Sequence, residues 1–127
     1  MSAMRAGRRT VLAGLALAGC ASPNPDLYTL AAIPGTARPG VRGLIELRAI
    51  ALARYLERPQ IVRSTEDFRL DVAANEWWGE PLDTMLSRVT LRNLAQRLPD
   101  ATVFREQGAA PGVPDAMVGI DILRLDW

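Results

Sequence analysis

The sequence predicts an α+β fold in which one long amphipathic helix packs on a mainly antiparallel sheet. Three observations carry this. Phe68-Arg69-Leu70-Asp71-Val72 alternates apolar and polar side chains, the period of a strand. Glu80 to Leu98 instead sets Leu82, Met85, Leu86 and Val89 on one stripe, the period of a helix. The other apolar runs are short and bounded by Pro and Gly, so they read as further strands.

The amino-terminal stretch stands apart from this domain. Arg5, Arg8 and Arg9 precede an apolar run from about Val11 to Ala18, with no acid among them. That is the order of a secretion signal. We read Arg8-Arg9 as a plain basic leader rather than a twin-arginine signal. The apolar run is far short of the roughly 20 residues that span a bilayer. It closes on Leu17-Ala18-Gly19-Cys20, a lipobox. Residues 1–19 are thus expected to be a cleaved lipoprotein signal peptide. The Cys20 thiol would carry a diacylglyceryl group, and the new amino terminus a further acyl chain such as palmitate. Each buried CH₂ contributes about 0.8 kcal/mol and a single chain binds only marginally, so several chains on one residue anchor firmly. Ala21 follows Cys20 where an Asp would favour retention in the inner membrane. The expected location is therefore the outer membrane, facing the periplasm.

Residues 20–26 form a lipidated tether whose prolines keep it extended. The domain is expected to occupy residues 27–127. Leu27 to Leu30 reads as a first strand, and Ile33 to Gly43 as a loop. Leu44 to Leu52 reads as a half-buried strand, with Ile45, Leu47, Ala49 and Ala51 on one face and Glu46 and Arg48 on the other. Pro59 biases Arg58 away from helix, so Gln60 to Arg63 should be extended. The strand from Phe68 should end near Asn75. Pro81 suits the first helical turn, Asp83 complements the positive end of the helix dipole, and Pro99 stops the helix. Thr102 to Phe104 and Ala116 to Leu125 complete the strands. The chain stops at Asp126-Trp127 directly after a strand, which predicts a domain cut short at its carboxyl end or, as the alternative, a natural short form completed by a partner.

Composition narrows the possible chemistry. The whole chain has 15 basic and 14 acidic residues. Loss of the three leader arginines leaves 12 basic residues against 14 acidic ones, which gives no footprint for nucleic acid. There is no His, so the commonest general base and metal ligand is missing. There is no Lys, and Cys20 is the only cysteine, which rules out a Ser-Lys dyad, a disulfide and a thiolate metal site. The acids are scattered, and no Gly-x-x-x-x-Gly-Lys phosphate cradle is present. No catalytic residue, metal site or cofactor is expected.

Two segments are distinctive: Tyr55-Leu56-Glu57-Arg58-Pro59-Gln60-Ile61-Val62-Arg63, and Glu76-Trp77-Trp78-Gly79-Glu80-Pro81-Leu82 with Arg92-Asn93-Leu94 beyond it. Together with the lipobox and Leu27-Tyr28-Thr29-Leu30, they resemble the ABC-type transport auxiliary lipoprotein family across about residues 20 to 127. The departures are specific. The family has a proline just before its Tyr-Leu pair, where this chain has Ala53-Arg54. Its usual Trp-Ala-Glu-Pro-Leu stands here as Trp78-Gly79-Glu80-Pro81-Leu82. Its last strands and final tryptophan-bearing segment are missing or cut at Trp127.

The resemblance implies a periplasmic lipoprotein serving an envelope transport system that moves lipids or other hydrophobic compounds between inner and outer membranes. Implied partners are ABC transporter subunits and a periplasmic protein of the mammalian-cell-entry type, with a homo-oligomer as a further option. A stand-alone periplasmic lipoprotein that binds lipid or a small molecule is the alternative. For docking, the candidates are Tyr55, Arg58, Pro59, Gln60, Trp77 and Trp78. Pro59 suits an edge strand or extended arm that pairs with a neighbour, or else a crossing between strands. Trp77 and Trp78 could grip a partner or a headgroup region, or one of them could cap the core beside the helix start.

Overall fold

The computed structural model describes residues 24–65 and 67–125. The lipobox and Cys20 lie outside them. Eight strands and one long helix follow in the order β1 (Asp26–Tyr28), β2 (Gly43–Leu47), β3 (Ala51–Leu52), β4 (Gln60–Ser64), β5 (Leu70–Trp78), α1 (Leu82–Arg97), β6 (Ala101–Arg105), β7 (Ala116–Val118) and β8 (Asp121–Ile122). A single 3₁₀ turn, Arg54–Leu56, precedes β4. The α+β class and the lone long helix agree with the sequence.

The strand pairing does not. β1 runs parallel to β5, β2 parallel to both β6 and β7, and β3 parallel to β8. Only β4 and β5 are antiparallel. The expectation of a mainly antiparallel sheet is therefore corrected: among the described residues the strands form three sheets, one mixed (β1-β5-β4) and two parallel (β6-β2-β7 and β3-β8). The reason lies in the connections. Only β4 and β5 pair as sequence neighbours joined by a short turn, whereas the other pairs join strands separated by long excursions, as parallel pairing requires.

The run from Gly43 to Leu52 is not one strand. It breaks at residues 48–50, and the break shifts the buried face by one residue. Ile45 and Leu47 are buried as expected, but beyond the break Ile50 is buried and Ala49 and Ala51 are exposed. A one-residue slip moves every later side chain to the other face. The backbone still follows the carboxyl-terminal strand across the break, because Arg48 donates to Val118, Ala51 to Ile120 and Ala53 to Ile122. At the start of β2, Gly43 sits at φ +113°, and a Cβ there would meet the Asp115 carboxylate at 2.6 Å. That carboxylate accepts the Leu44 N–H at 2.8 Å, so glycine is needed both for the backbone angle and for the approach.

β5 extends past the expected end at Asn75 to Trp78. Pro81 is not in the first turn of the helix. It is the residue before it, with ψ 132°, and its carbonyl accepts the Met85 N–H. At the far end, the Arg97 carbonyl accepts the Arg38 N–H at 2.6 Å, which satisfies an otherwise open helix terminus. Leu82 and Met85 from the first turn enter a core with Leu56 and Val62. Met85 is completely buried, and its sulfur receives the Leu30 N–H at 3.0 Å. The core thus ties α1 to the segments carrying both distinctive motifs.

Candidate functional site

The two motifs meet in space. Gln60 at the start of β4 stands opposite Trp77 at the end of β5. The Trp78 N–H donates to the Pro59 carbonyl at 2.7 Å. Between this junction and the Val62–Val72 pair, β4 advances only from Gln60 to Val62 while β5 covers Val72 to Trp77. The surplus in β5 forms a bulge, a device that bends a strand and re-aims its end. Past the bulge, Glu76, Trp77 and Trp78 are gripped from the other side by β1, through Asp26, Leu27 and Tyr28. An ion pair from Arg63 to Glu76 spans the bulge.

A cleft of about 590 Å³ opens beside this junction. That lies within the range of ligand and peptide sites. Its apolar lining comes from Ile50, Leu52, Pro59, Trp78, Pro81 and Leu82. Its charged lining is Glu57, Arg58, Glu80 and Asp83. Glu80 is ion-paired with Arg88 in the second turn of the helix. Among the described residues no salt bridge reaches Glu57 or Asp83. No described residue lining the cleft is a histidine, cysteine or serine.

A smaller hollow of about 150 Å³ lies on the other side of Ile50 and Asp83. Here Glu106 bridges the break between β2 and β3. One carboxylate oxygen accepts the Ala49 N–H at 3.1 Å and the other faces Arg48 at 3.3 Å. The Ala49 N–H lowers the pKa of this carboxyl; desolvation opposes it, and the charge and hydrogen bond of Arg48 add to the lowering.

The six candidate docking residues separate into groups. Arg58, Pro59 and Trp78 line the cleft. Gln60 and Trp77 form the strand pair beside it, and the Trp77 indole turns back toward the Ala74 carbonyl. Trp78 packs against the core, so it both caps the core and faces the cleft. Tyr55 lies elsewhere. Its ring packs on the core and its hydroxyl donates to the Leu123 carbonyl at 2.9 Å. The Pro59 segment is a crossing into β4, held by its carbonyl. Sequence reading missed Ile50, Leu52 and Asp83 as cleft residues; the one available signal was Ile50, an apolar residue out of phase with the alternation before it.

Two of the departures from the family pattern, at Ala53 and Gly79, are accommodated. A Cβ on Gly79 would meet only the Tyr28 carbonyl at 3.4 Å, so the alanine usual in the family fits here. Ala53 has φ −59°, which suits proline, but its N–H donates to Ile122, a bond proline would forfeit.

Mixed and parallel sheets with one long helix, the joined motifs and the cleft define the class. The chain belongs to the family of ABC-type transport auxiliary lipoprotein components, whose model matches residues 28–127. It is similar to the intermembrane transport lipoprotein PqiC of Escherichia coli strain K12, with 33% identity over 94 residues. The PqiC of Shigella flexneri is equally similar. The match covers 69% of this chain and 50% of PqiC, so the chain spans about half the length of the curated relatives it matches. Solved structures share the fold. One, of an uncharacterized protein, aligns with a TM-score of 0.62 at 21% identity, over 83% of this chain and 63% of that one. A second, from Xanthomonas campestris, aligns with a TM-score of 0.51 at 24% identity, over 63% of this chain and 48% of that one.

Proposed function

We propose that this protein is a lipid-anchored periplasmic component of an ABC transport system that moves lipids or other hydrophobic compounds between the inner and outer membranes. Membership of the transport auxiliary family carries this reading, and the similarity to an intermembrane transport lipoprotein supports it. Residues 1–19 are removed, Cys20 carries the lipid, residues 20–26 form the tether, and the anchor lies in the outer membrane. The domain, from residue 27 onward, works by docking and carries out no reaction. Its partners are ABC transporter subunits and a periplasmic protein of the mammalian-cell-entry type, and copies of the chain can associate with one another. Arg58, Pro59, Gln60, Trp77 and Trp78 surround the docking region, whereas Tyr55 supports it from within the fold.

Affinity capture of the full chain under mild detergent tests this reading. Recovery of a mammalian-cell-entry protein supports it. The apolar cleft favours a second reading, a stand-alone carrier of lipid or a small molecule. Co-purified lipid with no protein partner would establish that reading and overturn the first. Cys20→Ser should release the domain from membranes; if the variant still sediments with them, Cys20 is not the anchor.

A further inference from the structure

Among the described residues, β3 has one edge occupied by β8 and one left open, and residues of the open edge line the cleft. Toward β8, Ala51 and Ala53 donate to the Ile120 and Ile122 carbonyls. Main-chain groups in a strand alternate in direction, so those of Ile50 and Leu52 face the opposite way. Among the described residues no backbone hydrogen bond reaches them. The strand that would have covered them is β6. It pairs with β2 as far as Leu47–Arg105 and then departs, with Glu106 turning its side chain onto Ala49. Among the described residues, Ile50 and Leu52 thus present a short row of donors and acceptors without strand partners, a template for an added strand.

The cleft walls suit a peptide. Pro59 and Pro81 line it without N–H groups of their own to compete. Ile50, Leu52, Trp78 and Leu82 supply apolar contacts. With Glu80 neutralised by Arg88, the remaining charges are Glu57 and Asp83 against Arg58, an excess of negative charge.

We propose that this cleft accepts an extended segment of a partner protein, added as a strand to the open edge of β3, with apolar side chains at alternate positions and a basic side chain beside Glu57 and Asp83. Main-chain bonds give such docking its affinity, and alternate side chains give its specificity. The proposal rests on the docking reading above and specifies the chemistry of the partner.

The test uses the full chain in nanodiscs and a fluorescein-labelled peptide, acetyl-Thr-Val-Arg-Val-Thr-amide, read by fluorescence anisotropy. Saturable binding is expected. N-methylation of the peptide nitrogens that face β3 should weaken it about tenfold, because the added strand loses its donors. Replacing the peptide's arginine by glutamate should weaken it about tenfold as well. The isosteric double variant Glu57→Gln with Asp83→Asn should lose most of the preference for arginine over glutamate. Unchanged affinity after N-methylation overturns strand addition, and an unchanged charge preference in the double variant overturns the acidic subsite. No saturable binding of any peptide overturns the site. The capture experiment above does not use these peptides, so the cleft proposal and the transport reading can fail separately.

Discussion

Two joints flank Ile50 and Asp83, and they are closed by different forces. On one side, the Pro59–Trp78 junction is shut by a main-chain bond, by strand pairing to β1 and by the core beneath it. On the other, the break between β2 and β3 is spanned by the carboxylate of Glu106. The first joint depends on packing, and its strength should hardly respond to pH. The second combines main-chain bonds to Val118 and Ile120 with a charge at the surface. The cleft thus lies between a joint held by packing and one held in part by electrostatics.

The largest expected effect tests the joint held by packing. Met85→Ala removes a fully buried side chain under the junction and leaves the Leu30 N–H without its sulfur acceptor. A loss of about 3 kcal/mol is expected from the cavity. Met85→Leu, close in volume, should cost less than about 1.5 kcal/mol. Urea denaturation measures both. If the alanine variant loses less than the leucine variant, the core does not support this joint.

Trp78→Ala should follow, at about 2 kcal/mol, below the range for a fully buried aromatic because Trp78 is only half-buried. The decisive readout is its pH dependence. The loss should be the same at neutral and mildly acidic pH, since the contacts that Trp78 itself makes are a main-chain bond and apolar packing. A loss that varies with pH would erase the contrast between the two joints.

The far end of the same hairpin sharpens the comparison. Phe68, Leu70 and Val72 alternate as a strand should, yet they are 84%, 49% and 39% exposed. Phe68 also holds φ 57°, where a side chain is strained. Phe68→Gly should therefore stabilise the fold by about 0.5 kcal/mol, opposite in sign to the changes at the junction. A destabilised variant in thermal melts would show that Phe68 makes contacts worth more than its strain.

These elements also show what was legible in the sequence. Alternation up to Val72 and periodicity at Leu82–Val89 located a strand and the helix, because those signals are local, although the strand begins at Leu70 and Phe68 falls in the turn before it. Alternation did not tell whether a face is buried, since burial is decided by what packs on it. The parallel pairings were hidden because each joins strands far apart in the chain. The break at residues 48–50 was hidden because Glu106, which satisfies Ala49, lies 57 residues further on. The motifs at Pro59 and Trp78 could be seen singly, but their meeting required the bulge in β5, which has no simple sequence signature.

The smallest effect concerns the joint held in part by electrostatics. The Ala49 N–H and Arg48 lower the pKa of Glu106 in the folded state. A carboxylate with a depressed folded pKa adds stability that is fully present above its unfolded pKa, and that is lost as pH falls through the folded pKa. Glu106→Gln keeps an oxygen that can accept the Ala49 N–H but has no charge to lose. At neutral pH the variant should melt slightly below the parent. On acidification from about pH 6 to about pH 3, the parent should lose this advantage as Glu106 protonates, and the two melting curves should converge. Raised salt should narrow the gap at neutral pH, because the Arg48 attraction is exposed to solvent and screened. Melting temperatures that keep a constant separation across this pH range would show that the break is closed by shape rather than by charge, and both joints would then obey the same physics.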